Sequence, residues 1–169
     1  SLPEFLKEGT AIADFMSPDR VVVGGSSERA IELVVRIHQA LEAPVVRVDV
    51  PTAEMIKAAS NAFLATKISF INEIANVCEE TGADVTMVAE GMGLDRRIGR
   101  YFLQAGIGFG GSCFGKDVSA LKQLAGNSGY HFQLLNAVIE VNDLQKRRVV
   151  GKLKKHLGPL RGRRIALLG

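Results

Sequence analysis

Between Tyr130 and Leu157 the sequence has no proline and one interior glycine, Gly151, so it reads as a single helix. At 3.6 residues per turn it would run for about seven or eight turns. A helix that long needs a partner surface: it connects two domains, pairs with a second subunit, or does both. A second long segment runs from a cap at Thr52 to about Thr81. Ile71, Ile74, Ala75 and Cys78 fall on one of its faces at helical spacing, and Gly82 stops it.

Shorter elements surround these two. Ser27 caps a helix from about Glu28 to Leu41, Pro44 ends it, and Val45 to Val50 makes a short strand closed by Pro51. Asp84 caps a short helix to about Glu90. The segment after Cys113 is helical to Leu124, and Asn127, Ser128 and Gly129 make a turn. Val21-Val22-Val23 reads as a buried strand stopping at Gly24-Gly25, and Arg163-Arg164-Ile165-Ala166-Leu167-Leu168-Gly169 as the start of another. A basic-then-apolar strand ending in glycine is how many doubly wound nucleotide-binding domains open. The expected fold is thus mainly α, with short strands that read as edges of flanking domains.

Composition narrows the function classes. The chain of 169 residues is 47% apolar, enough to bury a full core. Its net charge is only +3, and the basic excess clusters in Lys146, Arg147, Arg148, Lys152, Lys154, Lys155, Arg161, Arg163 and Arg164. On a long helix such a cluster reads as a solvated face rather than a nucleic-acid surface, and the absence of tryptophan argues against a stacking platform. Cys78 and Cys113 are the only cysteines, and neither has a CxxC partner or a histidine at ligand spacing. Neither a disulfide framework nor a metal site is expected. No apolar run approaches a membrane span and no signal peptide precedes the first proline, so a reducing cytoplasm is the expected compartment.

The chemistry concentrates at Gly108-Phe109-Gly110-Gly111-Ser112-Cys113-Phe114-Gly115-Lys116-Asp117. It places a cysteine at the end of a glycine-rich turn and the start of a helix. Glycines let backbone N–H groups approach a ligand, and a helix N-terminus stabilises a thiolate. The same residues also fit a plain turn with a small buried cysteine. Lys57 and Asn61, spaced i, i+4, share one helix face among apolar neighbours. A lysine buried there could act as acid or base and an adjacent amide could bond an oxyanion, or the lysine simply snorkels to water. Glu4 and Glu8 are likewise four apart beside Gly9 and could supply a general base, or stand as two surface carboxylates. Arg96 and Arg97 could fork onto a phosphate or sugar, or be solvated.

Four motifs in this order and spacing give a resemblance. They are Pro3-Glu4-Phe5-Leu6-Lys7-Glu8-Gly9-Thr10-Ala11-Ile12, Lys57-x3-Asn61-Ala62-Phe63, Arg97-Ile98-Gly99 and the Gly108 to Asp117 stretch. Together, over essentially the whole chain, they resemble the UDP-glucose/GDP-mannose dehydrogenase family. The resemblance implies an NAD-dependent oxidoreductase with three domains. Residues 1–50 would be the tail of the N-terminal NAD-binding Rossmann domain. Residues 51–158 would be the central helical dimerisation domain, of the kind that closes 6-phosphogluconate dehydrogenase. Residues 159–169 would open the nucleotide-sugar domain. The GxGxxG cofactor fingerprint is absent from the strand-then-helix setting that a Rossmann domain gives it.

The resemblance also implies roles. Cys113 would be the nucleophile that forms a thiohemiacetal and then a thioester while the sugar C6 alcohol is oxidised to a carboxylate in two hydride transfers. Lys57, Asn61 and Asp117 would stabilise oxyanions and move protons, and Glu4 would assist water. Glu8 and Lys116 would face the cofactor. Phe102 and the Gly108, Phe109, Gly110, Gly111 and Ser112 loop would hold the nucleotide sugar, and Arg97 would reach the sugar of the second subunit in a homodimer. Gly115 stands where many members carry proline, and Gln104 where some carry lysine. Arg97-Ile98-Gly99 and Ser112-Cys113-Phe114 resemble the UDP-glucose branch, whose product feeds polysaccharide biosynthesis, more than the GDP-mannose branch. Two rivals remain: a hydroxyacid dehydrogenase of the 6-phosphogluconate type, which needs no nucleophilic cysteine, and a non-catalytic dimerisation scaffold.

Overall fold

The computed structural model describes residues 9–166 and, for Ser112 and Cys113, the backbone alone. It divides after Ala59 into two compact units.

In the first unit, helix α1 (Ala11–Met16) precedes strand β1 (Val21–Gly24), helix α2 (Glu28–His38) and strand β2 (Val45–Val48). The two strands are parallel, with Val21 opposite Val45 and Val23 opposite Arg47. Parallel neighbours need a crossover, and α2 supplies it. Ser27 caps α2 as expected, its hydroxyl accepting from the Ala30 N–H, and the helix tightens into one 3-10 turn over Gln39–Leu41. Val21, Val23 and Ile31 are buried against Val34, Val35, Leu41 and Ala43. Arg47 reaches back to Glu32 at 2.9 Å.

Helix α3 (Val50–Thr81) begins in this unit, three residues earlier than the sequence suggests. Pro51 does not close a strand there; it lies in the first turn of the helix, where a missing N–H costs nothing because that donor has no intrahelical partner. The cap is Asp49 rather than Thr52, its carboxylate accepting from the Thr52 N–H at 2.8 Å. The Thr52 hydroxyl, with that N–H, holds the Asp49 carboxyl below the usual range.

From Ser60 on, the second unit is helical: the rest of α3, then α4 (Val85–Gly93), α5 (Gly111–Asn127) and α6 (Gln133–Leu157). Gly82 ends α3 with φ of +77°, and Asp84 caps α4 by accepting from the Thr86 N–H. The α5 helix starts at Gly111, before Cys113, and extends past Leu124. The long last helix starts three residues later than expected, because the Tyr130 N–H is taken by the Ala125 carbonyl at the end of α5. Ile71, Val118 and Leu135 are almost fully buried, with Ala65 and Val138 beside them. Lys152 on α6 donates to Glu79 on α3, whose carboxyl it holds below the usual range, so part of the basic face is paired.

The strand expected from Arg163 is not formed in its described part: residues 163–166 are irregular and Ile165 is half exposed. A strand needs a neighbour to take its backbone groups, and among the described residues none pairs with it. No described helix is long and apolar enough to cross a membrane.

Ile71 has no exposed surface. Ile71→Ala should cost about 2–5 kcal/mol of unfolding free energy, read as a lower urea midpoint with little change in slope.

Candidate functional site

The site is built where a glycine loop enters α5. Gly108 has φ of +101°, which glycine adopts without strain, and a Cβ there would lie 2.4 Å from Asn142 Oδ1. Gly110 is the N-cap residue and Gly111, at φ +79°, opens the helix. A glycine cap brings no side chain of its own to bond the first N–H groups at the positive end of the helix dipole. Cys113 is the third residue of this helix.

Three rings fix the approach. The Phe114 ring packs edge-on against Phe102, with centroids 6.1 Å apart, and tilted against Phe109, at 5.9 Å. Phe102 itself has φ of +63°, a left-handed conformation that a bulky residue holds only when its surroundings insist. Phe109 is buried and Phe102 partly exposed.

Helix α3 meets α5 through one short bond: Asn61 Nδ2 donates to Asp117 Oδ2 at 2.6 Å. Asp117 is four residues beyond Cys113, one turn along the same face of α5. Its other oxygen lies 3.6 Å from Lys116 Nζ, and the Asp117 side chain is 19% exposed against 75% for Lys116. One amide N–H of Asn61 is therefore committed to Asp117, which leaves the second N–H as a donor. Lys57 stands one turn before Asn61 on α3, but its side chain is exposed, so the buried lysine considered from sequence is not what forms.

Arg97 occupies a turn of its own. Its guanidinium, 89% exposed, lies against Asp95, with Nη2 donating to Oδ2 at 2.7 Å and Nε to Oδ1 at 3.1 Å. Lys67 Nζ donates to the Ile98 and Gly99 carbonyls and pins that turn to α3. A cleft of about 340 Å³ beside α4 is lined by Glu90, Arg100, Leu103 and Gln104, among others; it holds none of the expected site residues. Glu4, Glu8 and the side chains of Ser112 and Cys113 lie outside what is described.

Sequence reasoning missed the residues that hold the loop. Asn142 Oδ1 accepts from the Phe109 N–H at 2.7 Å, and its Nδ2 donates to the Phe109 carbonyl at 3.2 Å. The Gly106 N–H donates to Asn72 Oδ1 at 2.8 Å, and the Gly106 carbonyl accepts from Gln145 Nε2 at 2.9 Å. Ser69 donates to the Val138 carbonyl and completes a polar seam between α3 and α6. The available signal was amides at helical spacing, Asn72 with Asn76 and Asn142 with Gln145, on faces otherwise apolar.

The Arg97 guanidinium holds the Asp95 carboxyl below the usual aspartate range, and Asp95 raises Arg97 in turn. A lowered folded value means that the pairing contributes fully above the unfolded value, near 3.8, and is lost as pH falls through the depressed one. NMR titration should therefore find the 95–99 turn unchanged at pH 5 and loosened only below the ordinary aspartate range.

Residues 51–144 match the UDP-glucose/GDP-mannose dehydrogenase family, central domain, and residues 1–42 that family's NAD binding domain. The UDP-glucose 6-dehydrogenase TuaD of Bacillus subtilis (strain 168) is 56% identical over 169 residues, which is 100% of this chain and 37% of that protein. The UDP-glucose 6-dehydrogenase YwqF of the same strain is 53% identical over 169 residues, 100% of this chain and 38% of that protein. A solved UDP-glucose dehydrogenase from the hyperthermophilic archaeon Pyrobaculum islandicum matches with a TM-score of 0.91 at 44% identity, over 95% of this chain and 37% of that one. The chain thus spans less than two fifths of the length of these relatives.

Proposed function

The chain belongs to the UDP-glucose/GDP-mannose dehydrogenase family, and from that premise we propose that it serves an NAD-dependent oxidation of UDP-glucose to UDP-glucuronate. The observation that carries this reading is the 2.6 Å bond by which Asn61 on α3 meets Asp117, one turn beyond Cys113 on α5. It sets an amide donor and a proton-accepting group beside the helix start where a thiolate is favoured. The identity to proteins named UDP-glucose 6-dehydrogenase supports the choice of sugar.

The Cys113 thiolate adds to the aldehyde carbon of the half-oxidised sugar and the carbonyl pair moves onto oxygen, giving a thiohemiacetal alkoxide. The remaining Asn61 N–H and the Lys57 ammonium bond that oxyanion. After oxidation to the thioester, water attacks the same carbon, the thiolate leaves and the carboxylate forms. Glu4 takes the proton of the attacking water, and Asp117 orders a water beside the carbon. Phe102 and the Gly108 to Ser112 loop hold the nucleotide sugar.

NAD, when bound, accepts a hydride in each of the two oxidations. The Gly24-Gly25 turn after β1 is no phosphate cradle, since a Cβ on Gly24 would lie 2.5 Å from Ala53 Cβ: its bareness admits α3, not a ligand. Glu8 and Lys116 face the cofactor.

The protein acts as a cytoplasmic homodimer, with residues 51–158 as the central domain between the tail of an NAD-binding domain and the start of a nucleotide-sugar domain. Phe63, Phe70 and Val77, seven residues apart on α3, are 66%, 48% and 57% exposed and form an apolar stripe that a second copy would cover. Arg97 then reaches the partner's sugar.

In the full-length enzyme Cys113→Ser should abolish acid formation, because an alkoxide leaves far less readily than a thiolate; normal turnover rejects the assignment. Asn61→Ala should lower kcat about 10²-fold, the usual cost of a lost oxyanion donor, and unaltered kcat in steady-state assays rejects its role. Phe70→Glu should convert the dimer to monomer in sedimentation at micromolar concentration, whereas an unchanged sedimentation coefficient removes the stripe from the interface.

A further inference from the structure

We propose that Asn142 is a positioning residue for the nucleotide-sugar site: with Gln145 and Asn72 it clamps the backbone from Gly106 to Phe109 in the one path that delivers Cys113 to the start of α5. The proposal rests on the role given above to the glycine loop and Cys113.

The clamp acts at two points three residues apart. At Phe109 the Asn142 carboxamide takes both backbone groups, its oxygen accepting the N–H and its nitrogen donating to the carbonyl, as a neighbouring strand would. At Gly106 the two groups are divided between helices: the N–H goes to Asn72 on α3 and the carbonyl to Gln145 on α6. Both ends of the loop are thus held on both sides. Gly108 lies between them, and the close approach of Asn142 exists only because Gly108 has no Cβ, which would meet Oδ1 at 2.4 Å. Two residues beyond Phe109 the chain enters α5.

The clamp is a costly way to pack two helices. Asn72, Asn142 and Gln145 are all buried, and among the described residues Asn72 Nδ2 and Asn76 Oδ1 have no partner. A buried donor or acceptor left unpaired is destabilising, and apolar side chains would join α3 to α6 without that cost. What apolar side chains would not do is fix the loop backbone. The polarity is explained by the loop backbone that the amides hold rather than by the packing of the two helices.

The test uses the full-length enzyme. Asn142→Asp keeps the size and the oxygen facing the Phe109 N–H but sets a second oxygen against the Phe109 carbonyl. Displacement of a positioned group by about 1 Å can cost 10²-fold, so kcat/KM for UDP-glucose should fall by about that factor while KM for NAD stays within about twofold. The iodoacetamide labelling rate of Cys113 per folded molecule should change in parallel. Gln145→Glu, which reverses the Gly106 contact and the longer one to Asn72 Oδ1, should show the same pattern more weakly and serves if the first variant does not fold. Hydrogen exchange at the Gly106 and Phe109 amides should be faster in both variants. A folded variant with wild-type KM for UDP-glucose, labelling rate and amide exchange overturns the proposal; so does lost activity with unchanged exchange. Turnover by Cys113→Ser overturns the functional reading instead, and leaves the exchange result to stand or fall alone.

Discussion

A backbone stretch that is neither helix nor strand must find partners for its polar groups elsewhere, and Gly106 and Phe109 find theirs in side-chain amides. Each such group left buried and unpaired would cost about 1–3 kcal/mol. Asn142, Gln145 and Asn72 remove that cost, and in doing so they join three things that the sequence keeps apart: the middle of α3, the middle of α6 and the entry to α5. The apolar core around Ile71 and Leu135 holds the helices together, but it is indifferent to where a loop between them runs. Direction comes from the amides.

Helix α5 is also tied to α3 through Asn61 and Asp117. The helix carrying Cys113 is therefore held by its own loop and by a side-chain bond, while its N-cap residue, Gly110, supplies no capping side chain. Preorganisation of this kind lets a site present donors without rearranging them as charge develops. The ring of Phe114, lodged between Phe102 and Phe109, keeps the loop and the first turn together.

Local chemistry in this chain was readable; distant pairing was not. The Ser27 and Asp84 caps and the stop at Gly82 depend on residues within four positions, and they stand as the sequence implied. Pro51 misled, because proline breaks a helix interior yet fits its first turn, and Asp49 was therefore overlooked as the cap. The late start of α6 was invisible because the Tyr130 N–H is captured by α5. The expected strand after Arg163 followed from composition alone, and composition does not supply a neighbouring strand. The resemblance put Asn61 and Asp117 in one site without pairing them, and nothing local indicates their bond across 56 positions. The Asn142 and Phe109 pairing, 33 positions apart, has no local sign beyond an amide on an apolar face.

The apolar stripe on α3 carries geometry as well as chemistry. Phe63, Phe70 and Val77 recur every seven residues, whereas the helix turns every 3.6, so the stripe slips by about 20° per repeat. It is a shallow left-handed spiral rather than a line along the axis. Two copies that cover it with each other must incline by about +20°, the crossing of a left-handed coiled coil, rather than the −50° of globin-like packing. Handedness, which no single residue of the stripe possesses, is thereby written into its spacing.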